Sequence, residues 1–433
     1  MNRSKSLLTK LNFKSSAIKL YGENETTLDR QFIRYQGAIH RFKEFFPTTG
    51  IHLFSTPGRT EIGGNHTDHN AGMVLAAAVN LDSIAVVQSI SETKVTVRSK
   101  GYDQPFVVNL DDLKPDKSEV GTTTALIRGI ASRFHESGYR IGGFNAYIDS
   151  SVMVGSGLSS SASIEILIGT ILNSLYNAGL IPQEELAQIG QYAENMFFGK
   201  PCGLMDQITC AVGGIVLIDF KSADSPKIHK VEFDFSTQKY SLLVIDTGGN
   251  HANLTDDYAS IPAEMKAVAK ELGGCVCRDL SIQQLLPKIK ALRAKIGDRA
   301  ILRAIHFLSD NQRVVEQFAA LENGDFNSFL RLVSESGNSS FKWLQNCYST
   351  KNIKSQGIPL ALALTENYFQ NNIVGACRVH GGGFAGTIQV FIPTDEVPEY
   401  LILMESVFGE NSVNVLSIRQ TGTAYLGFWD DIS

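Results

Sequence analysis

Long apolar runs, clustered cysteines and blocks of like charge are all missing from this chain of 433 residues. Nothing in it approaches the roughly 20 consecutive apolar residues that a membrane-spanning helix needs. At the N-terminus, Arg3, Lys5, Lys10, Lys14 and Lys19 interrupt the apolar residues, so the unbroken core of a secretory signal is not there. Both absences point to a cytoplasmic protein without a membrane partner. The six cysteines, at 202, 210, 275, 277, 347 and 377, are scattered. A lone C-x-C at Cys275 and Cys277 lacks the second ligand pair of a zinc site, so reduced, mostly buried thiols are expected. With 39 Lys and Arg against 44 Asp and Glu, the net charge of −5 gives no general attraction to nucleic acid. Two catalytic signatures are missing as well. No G-K-[ST] follows a glycine-rich stretch, which excludes a Walker loop. No G-x-S-x-G occurs, so His380-Gly381-Gly382-Gly383 is not read as a lipase oxyanion loop.

What is present describes a soluble globular protein, 43% apolar and 19% charged, long enough for two domains. Short apolar runs with β-branched residues predict strands at 73–79, 83–90, 94–98, 106–110, 143–148, 215–220 and 242–245. Helical patterns run over 122–134, 161–175 and 183–197, then through most of 261–369, before a strand–loop–strand unit at 374–391. No internal repeat interrupts this order. Strands and helices mix in both halves, so the class is α+β. The polar stretch 222–239 is the expected junction of two lobes, 1–235 and 236–433.

Three segments carry chemistry. The first, Thr56-Pro57-Gly58-Arg59-Thr60-Glu61-Ile62-Gly63-Gly64-Asn65-His66-Thr67-Asp68, packs a cation, carboxylates, an imidazole and an amide onto a glycine-bearing loop between strands. That density suits recognition of a polyhydroxylated ligand; His66, Asp68 and His69 as metal ligands are the alternative. The second, Val154-Gly155-Ser156-Gly157-Leu158-Ser159-Ser160-Ser161-Ala162-Ser163, runs straight into a helix. Glycines admit close approach, and the free N–H groups of a helix start favour phosphate. A serine-rich cap is the plainer reading. The third is Pro201-Cys202-Gly203-Leu204-Met205-Asp206-Gln207, after Ala193-Glu194-Asn195. Asp206, isolated among apolar and small residues, is suited to meet a substrate hydroxyl, or equally to cap a helix over 208–212. Gly381 to Gly386 fits G-x-G-x-x-G, but so late and alone it does not predict a dinucleotide fold.

In this order and at these separations, the segments resemble the signatures of the small-molecule kinases that include galactokinase, homoserine kinase, mevalonate kinase and phosphomevalonate kinase. Pro57–Asn70 looks like the galactokinase motif P-G-R-x-x-x-x-G-E-H-T-D-Y-N, Gly157–Ser163 like G-L-S-S-S-A-S, and Ala193–Gln207 like A-E-x-x-x-x-G-x-x-C-G-x-M-D-Q. Gly381–Gly386 looks like the third motif of the family; Leu20–Gly22 and Asp257-Tyr258 also fit. The resemblance implies a two-lobed fold and ATP-dependent phosphorylation of the anomeric hydroxyl of galactose, with magnesium, by a monomer. It implies that Asp206 accepts or orients the sugar hydroxyl and that Arg59 stabilises the transferring phosphoryl group. Gly155, Gly157, Leu158, Ser159, Ser160 and Ser161 would hold the nucleotide phosphates. Ser161 and Glu194 would bind magnesium, and Asn65, His66, Asp68, Gly203 and Tyr258 would contact the sugar.

Four positions depart from the pattern: Asn65 for Glu, His69 for Tyr, Met153 for Pro and Ala385 for Gly. By resemblance that Glu contacts the terminal sugar hydroxyl, so an amide here bears on which sugar is used. Galacturonate, N-acetylgalactosamine and arabinose are the competing substrates. A non-catalytic sugar sensor is the competing class, set against the presence of Arg59, Asp206 and the full Ser159–Ser161 run.

Overall fold

The computed structural model describes residues 9–46, 50–152, 157–222, 225–249 and 254–429. Met153 and Gly155 therefore lie outside the described residues. The strands are β1 (Ile51–Gly63), β2 (Met73–Ser89), β3 (Lys94–Ser99), β4 (Phe106–Asn109), β5 (Phe144–Ser150), β6 (Ile215–Asp219), β7 (Lys227–Val231), β8 (Tyr240–Asp246), β9 (Ala376–His380), β10 (Thr387–Pro393), β11 (Val413–Leu416) and β12 (Ala424–Trp429). Eight form one sheet in the order β12-β1-β2-β5-β3-β4, with β6 and β7 continuing from the far part of β2. Four form the other, β11-β8-β10-β9, which is antiparallel throughout. Together with the helices, this is an α+β fold of two lobes.

The larger sheet is buried on both faces, which explains why β2 is almost continuously apolar. Leu53, Ile84 and Val86 meet Tyr35, Ile39 and Phe42 on one side. Phe54, Ala85 and Val87 meet Ile127, Leu167 and Leu186 on the other. The first face is covered by helices Lys10–Tyr21 and Glu25–Phe45, which the sequence reading did not predict. Their apolar residues are spaced by turns of helix (Leu28, Tyr35, Ala38, Ile39, Phe42), so they look broken up in sequence and converge only on the helix. Asn24 caps the second helix, accepting from the Thr27 amide at 2.9 Å.

Three expectations need correction. The two strands expected at 73–79 and 83–90 are one strand of 17 residues, Met73–Ser89. Residues 56–63, expected in a loop, are the second half of β1. The lobe division is also less simple than a cut at 235, because β7 keeps part of the expected junction in the first sheet and β12 returns from the chain's end to pair with β1. The second-half residues Leu242, Val244, Phe329 and Phe391 share one core with Leu75, Val79 and Leu158 of the first. No helix among the described residues is long and apolar enough to cross a membrane, and their six cysteines are free thiols.

Candidate active site

Beyond Ser55, β1 loses its partner β12, and it meets the glycine–serine segment and the second sheet instead. The Arg59 amide donates to Leu158 O at 3.1 Å. Gly58 makes this approach feasible, since a Cβ there would stand 2.9 Å from the same carbonyl. The Arg59 side chain, 9% exposed, then reaches the first turn of helix Met205–Val212. Its Nε donates to Asp206 Oδ1 at 2.7 Å and Nη2 to Oδ2 at 2.8 Å, a two-pronged clamp. Nη1 donates to Gly157 O. Ser159, in the left-handed region (φ 58°) just before helix Ser160–Tyr176, donates its hydroxyl to Asp206 Oδ2. Burial pushes the Asp206 carboxyl up, but Arg59 and Ser159 outweigh it and hold it below the usual carboxylate range. The side chain keeps 28% of its surface open. Asp206 is therefore not the helix cap that was the alternative: Leu204 occupies that position.

The phosphate-loop candidates divide by what their side chains do. Leu158 is fully buried in the shared core, leaving only its backbone available to a ligand. Ser160 and Ser161 stand half-buried in the first helical turn, where N–H groups have no intrahelical acceptor. Ser163 is sealed, donating to Thr56 O (3.0 Å) and pairing with the Ser83 hydroxyl (2.9 Å), and so fixes this helix on β1 and β2.

Ser161 Oγ donates to Glu194 Oε1 at 3.2 Å. Helix Gln183–Ala193 relaxes there into a π turn over Glu194–Phe198, a widening common at functional sites. Lys200 Nζ donates to the same Glu194 oxygen at 3.2 Å, and Gln207 Nε2 bridges Glu194 Oε2 (3.0 Å) and Glu165 Oε2 (2.9 Å). Burial, then the charge of Glu194, pushes the Glu165 carboxyl well up.

The proposed sugar contacts come together from three parts of the chain. Asp68 Oδ2 lies against Gly203, so closely that a Cβ at 203 would collide with it. His66, with φ 58°, donates from Nε2 to Gly382 O at 2.9 Å. Burial and the neighbouring His69 hold the His66 imidazole down to about 4, so it is neutral at pH 7. Tyr258, in the first turn of helix Thr255–Glu271, donates to Gly383 O at 2.9 Å, and its ring leaves no room for a Cβ at Gly382.

Asn65 does not behave as the expected sugar contact. It is 0% exposed. Its Nδ2 donates to Glu61 Oε1 (3.0 Å) and Gly381 O (2.7 Å), while Oδ1 accepts from Asn346 Nδ2 (2.7 Å) and Ser340 Oγ (3.3 Å). Both ends of the amide are satisfied inside the protein, so position 65 joins the lobes instead of opening on the cleft. The glycine-rich segment also has a structural explanation: His380 accepts at Nε2 from Thr60 Oγ1 (3.0 Å) and the Glu61 amide (3.4 Å), and donates from Nδ1 to Thr387 Oγ1 (2.9 Å). Among the described residues no group of three or more His, Cys, Asp or Glu is arranged to hold a metal, which removes the His66–Asp68–His69 alternative.

Sequence reasoning missed Lys200, Gln207 and Arg378. Arg378, fully buried on β9, donates from Nη2 to Glu61 Oε1 at 2.8 Å and from Nη1 to Ile62 O at 2.6 Å. No local pattern around residue 378 announces a partner more than 300 residues away.

Two family signatures cover the first-half members of this constellation. Residues 40–89 match the galactokinase galactose-binding signature, and residues 125–214 match the GHMP kinases N terminal domain. A galactokinase of Clostridium acetobutylicum is 30% identical over 381 residues, covering 86% of this chain and 92% of that protein. The human galactokinase is 29% identical over 399 residues, 90% of this chain and 96% of its own length. The crystal structure of Lactococcus lactis galactokinase complexed with galactose superposes with a TM-score of 0.77 at 25% identity, across 90% of this chain and 99% of that one. Mevalonate kinase from Methanococcus jannaschii shares the fold, with a TM-score of 0.60 at 16% identity. Identity at this level over nearly the whole of both proteins, with the Arg59–Asp206 clamp inside the matched segments, places the chain in the galactokinase family of the GHMP kinases.

Proposed function

We propose that this chain transfers the terminal phosphoryl group of ATP to the anomeric hydroxyl of D-galactose, giving galactose 1-phosphate and ADP. The observation that carries this reading is the Arg59–Asp206–Ser159 cluster at the start of helix Ser160–Tyr176. It sets a carboxylate, an arginine and a phosphate-suited helix terminus side by side. Phosphoryl transfer asks mainly for positioning and charge stabilisation, and this arrangement offers both.

Asp206, held ionised by Arg59, orients the anomeric hydroxyl and takes its proton as the bond to phosphorus forms. Its lowered affinity for a proton favours late transfer, suited to a loose transition state in which the attacking oxygen acquires little charge early. Arg59 faces the developing charge on the phosphoryl oxygens. Its hold on Gly157 O also keeps the phosphate loop against β1. Gly157, Ser159, Ser160 and Ser161, with the backbone of Leu158 and with Gly155 from outside the described residues, hold the nucleotide phosphates. His66, Asp68, Gly203 and Tyr258 contact the sugar.

Ser161 and Glu194 fit magnesium by their chemistry: a hydroxyl and a carboxylate, both hard oxygen donors, touch at 3.2 Å beside the helix start. Magnesium takes one or two carboxylates and draws its remaining ligands from water and phosphate, so a larger protein cage is not needed. When bound it neutralises phosphate charge. Lys200, on the same Glu194 oxygen, supplies a cation that no Walker lysine provides here.

Because Asn65 is sealed, its change from Glu gives no reason to favour galacturonate. Incubation of the protein with magnesium-ATP and each of galactose, galacturonate, N-acetylgalactosamine and arabinose, followed by ADP release, tests the assignment. Galactose is expected to give the highest kcat/KM. A clear lead for another sugar overturns the substrate, and no turnover with any of them overturns the activity.

A further inference from the structure

We propose that Glu61 is a sugar-selecting residue of this chain, its free carboxylate oxygen accepting a hydrogen bond from a galactose hydroxyl in place of the carboxylate that position 65 lacks. The inference rests on the galactokinase reading above and deepens it.

The strand itself sets the direction. Arg59 pairs with Ala78 and Glu61 with Ala76 of β2, without a register shift between them. Residues two apart on a regular strand project to the same face. Arg59 reaches Asp206 from that face, so Glu61 borders the same cleft. Burial pushes the Glu61 carboxyl up, and Arg378, Asn65 and Arg59 work against that push.

The carboxylate is held by one oxygen only. Oε1 accepts from Arg378 Nη2 at 2.8 Å and from Asn65 Nδ2 at 3.0 Å. Both donors are themselves fixed: Arg378 by Ile62 O and Val379 O, Asn65 by Gly381 O and Asn346. Oε2 has no hydrogen-bond partner among the described residues, yet it is not one of the atoms sealed from solvent without a partner. Glu165 shows the contrast, since its unpartnered Oε1 is sealed. A rigid carboxylate with one oxygen presented to a cleft is a preorganised acceptor for a hydroxyl. The exchange is also chemically coherent. The family pattern carries Glu at position 65; here Asn stands at 65, Glu four residues earlier, and the two are hydrogen-bonded to each other.

The test compares wild type with Glu61→Gln on galactose and its 2-, 3-, 4- and 6-deoxy derivatives, measuring kcat and KM for each with saturating magnesium-ATP. Removing one charge-assisted bond is expected to lower galactose kcat/KM about 10- to 100-fold, mostly through KM for the sugar, with KM for ATP unchanged. One deoxy sugar lacks the hydroxyl that Glu61 meets. For that sugar alone the substitution is expected to have little further effect, because the two losses report one contact. Losses that multiply for all four derivatives, or a galactose KM within twofold of wild type, overturn the role of Glu61. Failure of wild type to use galactose overturns the underlying reading instead, so the two failures are distinct. If Glu61→Gln does not fold, a crystal structure of the wild-type protein with galactose decides. A sugar hydroxyl within about 3.2 Å of Oε2 supports the proposal, and a protein or water contact there with no hydroxyl in reach overturns it.

Discussion

Two buried arginine–aspartate networks lie on the larger sheet, one at Asp82 and one at Asp206. Asp82 is 0% exposed and accepts from Arg34 Nη1 (2.5 Å), Arg419 Nη1 (3.0 Å), Tyr21 OH (2.6 Å) and Ser55 Oγ (2.5 Å). Asp206 accepts from Arg59 and Ser159 and keeps part of its side chain open. In both, burial pushes the carboxyl up, and arginine together with hydroxyl donors more than reverses it. Ion pairing therefore does not separate a structural carboxylate from one proposed to react. The opening left after pairing is the difference: Asp82 is sealed, whereas the Asp206 side chain keeps 28% of its surface open, the face proposed for a substrate oxygen.

The sharpest way to break this contrast is Asp82→Asn. It leaves two arginines facing a neutral amide in a sealed site, at a cost of about 3–5 kcal/mol. Urea unfolding is expected to show that loss, while kcat per folded molecule stays within a few-fold of wild type. A stable but slow variant would mean that Asp82 serves the chemistry.

Arg59→Lys should do the reverse. Lysine keeps the charge but cannot span both Asp206 oxygens and Gly157 O. A fall in kcat of about 100-fold is expected, corresponding to about 2.7 kcal/mol of transition-state stabilisation, with a smaller change in unfolding free energy. A loss confined to stability would put Arg59 with the sealed network.

The smallest effect asks on which side His380 falls. It is sealed between the lobes, and burial with Arg59 and Arg378 holds its imidazole down to about 3. The unfolded state takes up this proton near pH 6.5, the folded state only near 3. Its contribution is thus complete above about pH 6.5 and is lost as the pH falls, by about 2 kcal/mol at pH 5. His380→Gln is expected to flatten the dependence of unfolding free energy on pH between 6.5 and 5 by that amount. An unchanged slope would contradict the sealed, neutral histidine.

Much of the fold was legible where a pattern is local. The strand alternation of 94–99 and 106–109 and the apolar helix 160–176 lie within a residue or two of expectation. The N-terminal helices were not, because their apolar residues meet only at helical spacing, and β12 was not, because its partner β1 lies far away in sequence. The same division holds at the site. Arg59, Asp206 and the serine run stand in compact motifs, and the structure brings them together. Asn65 stands in the same motif, but its role is set by Asn346, Ser340 and Gly381, none of them near it in sequence. The cluster of Glu61 with Arg378 is invisible for the same reason.

The central claim, that Asp206 is the open member of the pair and meets the sugar hydroxyl, is tested most directly by the steady-state kcat of Asp206→Asn with galactose and magnesium-ATP, normalised to folded protein. The expected result is a fall of at least about 1,000-fold with the affinity for a non-hydrolysable ATP analogue preserved. A kcat within about tenfold of wild type would contradict it.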